Sequence, residues 1–326
     1  IGTDGGVHFA PMEAASAVIS RAALTVGAER TFPPPPPWPP QGAPRRADYV
    51  PRHERDGRSF VFTLDGMLPA RVWQHVLSNG STGYIATECG SGCMWFENAR
   101  EMRITAPPAD VNAVIGNEAL WCDTGGERIS LFAAGDFRRC RVCYAPGYAS
   151  WEKELGARRV KTTAFIPADT DARVFIIEGA AGLRLNWAMK PVMGAADAKA
   201  VRIEARGSAL VCSNPESYLP GAEAVAVCSL PCEASCDYAP PTAVITVLAD
   251  DVTVLACGCG GEDELRALCT PKAAFEALDR VRGGWSAFLR RFELSSGAEA
   301  FDAYMNTWAV YQCVAGRLDA RASLYQ

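Results

Sequence analysis

Between Ser59 and Cys259 the chain runs in short apolar or alternating stretches, broken by Gly, Pro, Asn or Asp roughly every eight to twelve residues. Alternation with period two turns one side of a strand toward a core, and this spacing of breakers is the rhythm of a β-sandwich. The clearest predicted strands are Ser59–Leu64, Arg71–Leu77, Arg158–Ile166, Arg173–Ile177 and Leu183–Trp187. Val201–Glu204, Ala243–Leu248 and Val252–Leu255 continue the pattern. No helical segment of crossover length separates them, which disfavours a parallel α/β sheet. About fifteen or more strands over roughly 200 residues predict a mainly β fold, a large two-sheet antiparallel sandwich.

After Gly260-Gly261 the period changes. Glu262–Leu268 reads as a helix, Pro271 suits a helix start, and Phe275, Leu278, Val281, Trp285, Phe288, Leu289 and Phe292 trace one helical stripe. Ser295-Ser296-Gly297 interrupts it, with a serine able to cap the terminal helix. From Ala298 onward, Phe301, Tyr304, Met305, Trp308, Tyr311, Val314, Ala315 and Leu318 recur at three- and four-residue spacing. That face needs a partner, and the sequence supplies none after it, so the chain is expected to be the front part of a larger protein. At the other end, Pro33–Pro37, Trp38, Pro39 and Pro40 form a polyproline spacer. The expected division is an extension over 1–48, a sandwich over 49–261, a helical linker over 262–296 and a further helical unit opening over 297–326.

Composition narrows the function classes. The 326 residues carry a net charge of -5 and no dense Lys/Arg stripe, which removes the electrostatic term that dominates nucleic-acid binding. No stretch reaches the ~18 uninterrupted apolar residues of a membrane helix, and no export signal is visible, so a cytoplasmic location is expected. Thirteen cysteines are many. Cys140-x-x-Cys143, Cys89-x3-Cys93, Cys228-x3-Cys232-x3-Cys236 and Cys257-x-Cys259 lie beside none of the three histidines and do not match zinc-ribbon or ferredoxin spacing. Reduced thiols acting as small buried hydrophobes, with no metal, are expected.

Four segments are similar, in order, to the motif series of one enzyme family. Gly92-x-x-Trp95-x-x-Asn98-Ala99-Arg100-Glu101 with Ile104-Thr105 is similar to the family's Gly-x-x-Trp-x-x-Asn-Ser-Arg-Glu and Leu-Thr-Pro-Trp. Gly116-x-Glu118-Ala119-Leu120-Trp121-x-Asp123-x-Gly125-Gly126-Glu127 resembles a Gly-Glu strand ending in an Asp-x-x-x-Gly turn. Pro146-Gly147-Tyr148-Ala149-Ser150-Trp151 and Phe165-Ile166-Pro167 resemble the Gly-Tyr-Ser/Thr strand and the Val-Pro turn. Asn306-x-Trp308-x-x-Tyr311-Gln312, Arg317 and Arg321-x-Ser323-x-Tyr325-Gln326 look like the first helix of the family's (α/α)6 barrel. The chain departs from the pattern at Thr105-Ala106-Pro107 and at Tyr144-Ala145, where the family has Thr-Pro-Trp and His-Gly.

The family that these segments resemble is the phosphorylases of glycoside hydrolase family 94, formerly glycosyltransferase family 36, and the resemblance implies a galactose-mutarotase-like β-supersandwich, linker helices and the first helix of an incomplete catalytic barrel. It also implies inverting phosphorolysis, in which inorganic phosphate attacks the anomeric carbon while one carboxylic acid protonates the leaving oxygen. That acid lies beyond the helix with which this chain ends, so no catalytic residue is expected here and the chain alone should be inactive. No cofactor is implied beyond phosphate as co-substrate. The partners implied are a β-linked gluco-oligosaccharide, the rest of the barrel and a second subunit in a homodimer.

Candidate sugar contacts are Trp95, Asn98, Arg100 and Glu101, because aromatic faces stack on sugar C–H surfaces while amide, guanidinium and carboxylate groups match hydroxyls. A core tryptophan beside a surface ion pair accounts for the same letters. Arg321, Tyr325 and Gln326 are candidates for sugar or phosphate contact at the barrel mouth. Glu152/Glu154 and Asp250-Asp251 read as solvated surface, and His8, His53 and His75 lie near no nucleophile elbow. A non-catalytic carbohydrate-binding sandwich module is the competing expectation.

Overall fold

The computed structural model describes residues 45–46, 52–53, 58–64, 68–69, 72–90, 92–106, 117–133, 138–195, 200–238 and 241–319. The polyproline run lies outside the described residues, as do Arg321, Tyr325 and Gln326.

The strands succeed one another as β1 (Arg45–Arg46), β2 (Arg52–His53), β3 (Phe60–Leu64), β4 (Leu68–Pro69), β5 (Gln74–Ser78), β6 (Thr82–Thr87), β7 (Met94–Phe96) and β8 (Arg103–Thr105). Next come β9 (Glu118–Thr124), β10 (Glu127–Ser130), β11 (Cys140–Ala145), β12 (Tyr148–Leu155), β13 (Arg158–Phe165), β14 (Ala172–Glu178), β15 (Arg184–Met189) and β16 (Pro191–Gly194). The series closes with β17 (Arg202–Arg206), β18 (Ala209–Ser213), β19 (Glu223–Cys228), β20 (Cys232–Tyr238), β21 (Pro241–Leu248) and β22 (Val252–Gly258). Helices α1 (Glu262–Leu268), α2 (Pro271–Leu289) and α3 (Glu299–Ala303) complete the chain's regular elements up to the π-helical end.

One ten-stranded sheet, in the order β17-β18-β19-β22-β14-β13-β12-β11-β3-β2, faces two five-stranded sheets, β10-β9-β15-β21-β20 and β16-β8-β7-β6-β5. The pairings within these three sheets are antiparallel, as the alternating pattern implies; among the described strands only the small β1–β4 pair is parallel. The layer between them holds Phe62, Trp151, Phe175 and Leu255 from the large sheet against Leu77, Tyr84, Trp187 and Ile245 from the smaller ones.

The middle of the large sheet is buried twice over. In β14, Phe175 and Ile177 enter the sandwich core, while Val174 and Ile176 meet α1 and α2 on the other side through Leu265, Leu278 and Val281. That is why Val174-Phe175-Ile176-Ile177 is continuously apolar rather than alternating. Each such side chain withdrawn from water contributes about 1.5–3 kcal/mol. α2 starts where Pro271 predicts, with Thr270 Oγ1 accepting from Ala273 N at 3.3 Å.

Gly147, in the β11–β12 turn, has φ +84 and lies under α2, where a Cβ would come within 2.5 Å of Trp285 and Val281. Only glycine meets both demands.

Four sequence expectations are corrected at the C-terminal end. The α2 stripe stops at Leu289, leaving Phe292 exposed. The terminal helix is not one α-helix: after α3, Tyr304–Ala309 and Gln312–Asp319 are π-helical. Its N-cap is Ala298, and Ser296 acts instead as a bridge, donating to Asp302 Oδ1 through N (2.9 Å) and Oγ (2.6 Å). Nor does its apolar face lack cover, since Trp308, Tyr311 and Ala315 are buried in the main core while Phe301 and Tyr304 are half exposed. The partner of the buried half is the sandwich itself.

Candidate functional site

The seating of that helix creates an aromatic cleft. β3 supplies Phe60, β11 supplies Tyr144, and Val72-Trp73-Gln74-His75-Val76 run along one wall; Tyr304, Trp308, Tyr311, Gln312, Ala315 and Gly316 form the other. The cavity measures about 690 Å³, within the range of small-molecule sites. Tyr304, Trp308, Gln312 and Gly316 recur four apart, roughly one turn of this helix, and so line the cleft together.

His75 lies between two phenol rings, Tyr144 at 5.0 Å and Tyr311 at 5.1 Å, both nearly parallel to it. All three polar ends are held by backbone carbonyls. His75 Nε2 donates to Ala145 O at 2.8 Å, Tyr144 Oη to Trp73 O at 2.7 Å and Tyr311 Oη to Val76 O at 2.6 Å. Burial pushes the imidazole pKa down to about 4 against the opposing pull of the Ala145 and Tyr148 backbone bonds, so it is neutral at pH 7. Burial also raises both phenols above their ordinary range. The stack is therefore uncharged and hydrogen-bonded inward, a clamp rather than an acid–base device.

Tyr311 also meets Trp285 of α2 at 4.6 Å, so one ring joins the sandwich, the linker helix and the terminal helix. Phe60 and Trp73 stack at 5.1 Å and remain partly exposed, with the Gln74 and Gln312 side chains exposed at the rim. Aromatic faces flanked by amides can take a pyranose ring, stacking on its C–H surface and bonding its hydroxyls.

The sequence-derived group lies elsewhere. Trp95 is 3% exposed and packs with Cys93, Val76, Ile85 and Ala99, its ring so close over Gly83 that a Cβ there would sit 1.9 Å away. Asn98 Oδ1 accepts from Arg100 N at 2.9 Å and Glu101 N at 3.0 Å, closing a tight turn just past Glu97 at φ 56. Arg100 and Glu101 pair at 3.1 Å in solvent. The four residues do come together, as a core tryptophan beside a turn and a surface ion pair. None of Trp95, Asn98, Arg100 and Glu101 lines the cleft, and Val76, which packs on Trp95 and borders the cleft, is where the two regions meet. Phe60, Trp73 and Tyr144 carried no functional weight in the sequence; the only signal was aromatic residues on strands whose spatial neighbour was unknown.

Other candidate chemistry resolves into structure. Glu152 and Glu154 lie 3.2 and 4.0 Å from Arg159, and Asp250 Oδ1 accepts from Asp251 N in a turn. In the core, Arg173 forms a two-pronged ion pair with Glu118, Nη1 to Oε2 at 2.7 Å, and Trp187 Nε1 donates to the same carboxylate at 2.7 Å. The guanidinium lies 4.5 and 4.3 Å from the Tyr84 and Phe175 ring centres. Nine of the thirteen cysteines are buried. Among the described residues no group of three or more His, Cys, Asp or Glu is placed to hold a metal ion, and no helix is long and apolar enough to cross a membrane.

Residues 58–178, from the approach to β3 through β14, match the glycosyl hydrolase 94 supersandwich domain. Together with the facing antiparallel sheets, this defines a mainly β supersandwich protein. The match covers 121 of the 326 residues, so it is this segment that is similar to the glycosyl hydrolase 94 supersandwich. Cyclic beta-(1,2)-glucan synthase NdvB of Rhizobium meliloti (strain 1021) is 24% identical over 331 residues; the match covers 83% of this chain but only 12% of that protein. Among solved structures, a putative kojibiose phosphorylase from human microbiome aligns with 82% of this chain and 39% of its own, at 11% identity and TM-score 0.39. A putative aldose 1-epimerase from Escherichia coli K12 aligns with 57% of this chain and 87% of its own, at 13% identity and TM-score 0.33.

Proposed function

We propose that this chain is the sandwich-bearing, non-catalytic portion of an inverting β-glucoside or β-oligoglucan phosphorylase, of the kind that also forms part of cyclic β-1,2-glucan synthases. The observation that carries the reading is the family 94 supersandwich leading into linker helices and a terminal helix whose motif residues Trp308 and Tyr311 are seated on it. In this reading the sandwich frames a helical catalytic barrel. Phosphate is the co-substrate, the protonating carboxylic acid comes from the barrel, and a β-linked gluco-oligosaccharide is the substrate. The protein works in the cytoplasm and pairs as a homodimer. Incubating the full-length gene product with phosphate and β-1,2-, β-1,3- or β-1,4-gluco-oligosaccharides should release a sugar 1-phosphate, while this chain alone releases none. Absence of release from every linkage would sink the proposal.

The aromatic cleft favours a second reading, a carbohydrate-binding module without turnover. Oligosaccharide binding by the chain that Trp73→Ala weakens, together with an inert full-length protein, would select it.

A further inference from the structure

The side chains that line the aromatic cleft include no Asp, Glu, Lys or Arg, and the polar ends of His75, Tyr144 and Tyr311 are bonded inward to backbone carbonyls. What the cleft presents is ring surface: Phe60 and Trp73, stacked at 5.1 Å and partly exposed, and Tyr304, exposed on the opposite wall. At the rim the Gln74 and Gln312 amides reach solvent. An uncharged groove of aromatic faces with amide donors at its edge suits a polyproline II helix, whose proline rings pack on the aromatic faces and whose carbonyls, unpaired within the helix, accept from the edge.

The same chain carries such a segment. In Pro33–Pro40, seven of the eight residues are prolines, each with φ fixed near about −65° and no N–H, and Trp38 adds one large aromatic ring. Two strand pairings hold the chain that follows the run beside the cleft. His53 of β2 pairs with Phe60, which lines it, and Arg45 of β1 pairs with Leu68, five residues before Trp73. Pro40 precedes Arg45 by five residues, at most about 18 Å of extended chain. The run is therefore tethered within reach of the cleft.

We propose that Pro33–Pro40 of this chain docks in the aromatic cleft as a polyproline II helix, its proline rings and Trp38 on the faces of Phe60, Trp73 and Tyr304 and its carbonyls accepting from the Gln74 and Gln312 amides. The run then touches the sandwich and the terminal helix at once and occupies the surface that a sugar would use. Fixed φ angles favour docking, because little backbone freedom is left to lose. This inference does not depend on the phosphorylase reading, and it gives the cleft a different occupant from that of the carbohydrate-binding reading.

The test uses the full chain with photoreactive benzoylphenylalanine in place of Trp38, irradiated and mapped by peptide mass spectrometry. Crosslinks are expected on both walls, in Val72–Val76 and in Tyr304–Gly316, with a yield unchanged by about tenfold dilution, as a contact within one chain requires. Pro34→Gly, Pro35→Gly and Pro36→Gly together free the backbone and should remove most of that yield. Trp73→Ala should do the same, with Gln312→Ala on the exposed rim as the substitute if that chain does not fold. A crosslink that joins two chains assigns the cleft to a second copy, and crosslinks that miss the Tyr304–Gly316 wall leave it to a sugar. Either result, or a yield unmoved by the three glycines, which would mean tethering alone, overturns the proposal.

Discussion

Tyr311 is the residue on which the seating of the terminal helix turns, and truncating it tests the description of the cleft. Its hydroxyl donates to Val76 O at 2.6 Å, and its ring meets His75 at 5.1 Å, Trp285 at 4.6 Å and Trp308 at 6.1 Å while being 2% exposed. Tyr311→Phe removes only the hydrogen bond and should cost about 1 kcal/mol. Tyr311→Ala removes the ring and leaves a cavity between three elements, costing about 3–5 kcal/mol. The assay is urea unfolding followed by hydrogen-exchange mass spectrometry of the peptides that carry Trp308 and Tyr311, alongside far-ultraviolet circular dichroism, which senses the sheets. Tyr311→Ala should shift the exchange transition of those peptides to lower urea more than the dichroism transition, because the helix detaches before the sandwich opens. A loss below about 1 kcal/mol for Tyr311→Ala would refute the reasoning, since a buried aromatic node cannot be that cheap to remove.

Three further outcomes are expected. His75 stays neutral when folded down to about pH 4 but takes up a proton near 6.5 when unfolded; between those values the unfolded chain binds more protons, so its contribution is complete above pH 6.5 and is lost as pH falls toward 4, by about 3 kcal/mol. His75→Gln should flatten that part of the stability–pH curve, and an unchanged slope would contradict the buried neutral imidazole. Gly147→Ala adds a Cβ against Trp285 and Val281 at positive φ, so it should cost about 1–3 kcal/mol and raise hydrogen exchange in α2. Arg173→Met strands the Glu118 carboxylate in the core and should lower stability by about 3–5 kcal/mol, with Glu118→Gln in the same chain recovering part of it in thermal melts.

Much of the architecture was legible because its signals are local. The runs at Arg158–Ile166 and Leu183–Trp187 appear as β13 and β15 within a residue or two, and Pro271 marks the first turn of α2. The candidate site was far less legible. Trp95 and Trp73 are both tryptophans in or next to strands, and nothing in their neighbours along the chain says that one lies against Gly83 and the other opens onto a cleft. The same limit applies to Trp308 and Tyr311, whose spacing shows an apolar helix face but not that β5 covers it.

What this sequence determined by itself is periodicity and punctuation: where strands run, where helices take over, and which side of each is apolar, because those depend on residues two to four positions apart. Which faces meet was decided only by the tertiary structure. The clamp of Tyr144, His75 and Tyr311 joins β11, β5 and the terminal helix across more than two hundred residues of chain in the Val76–Tyr311 bond. Contacts of that range arise from how the layers pack, and no local pattern encodes them.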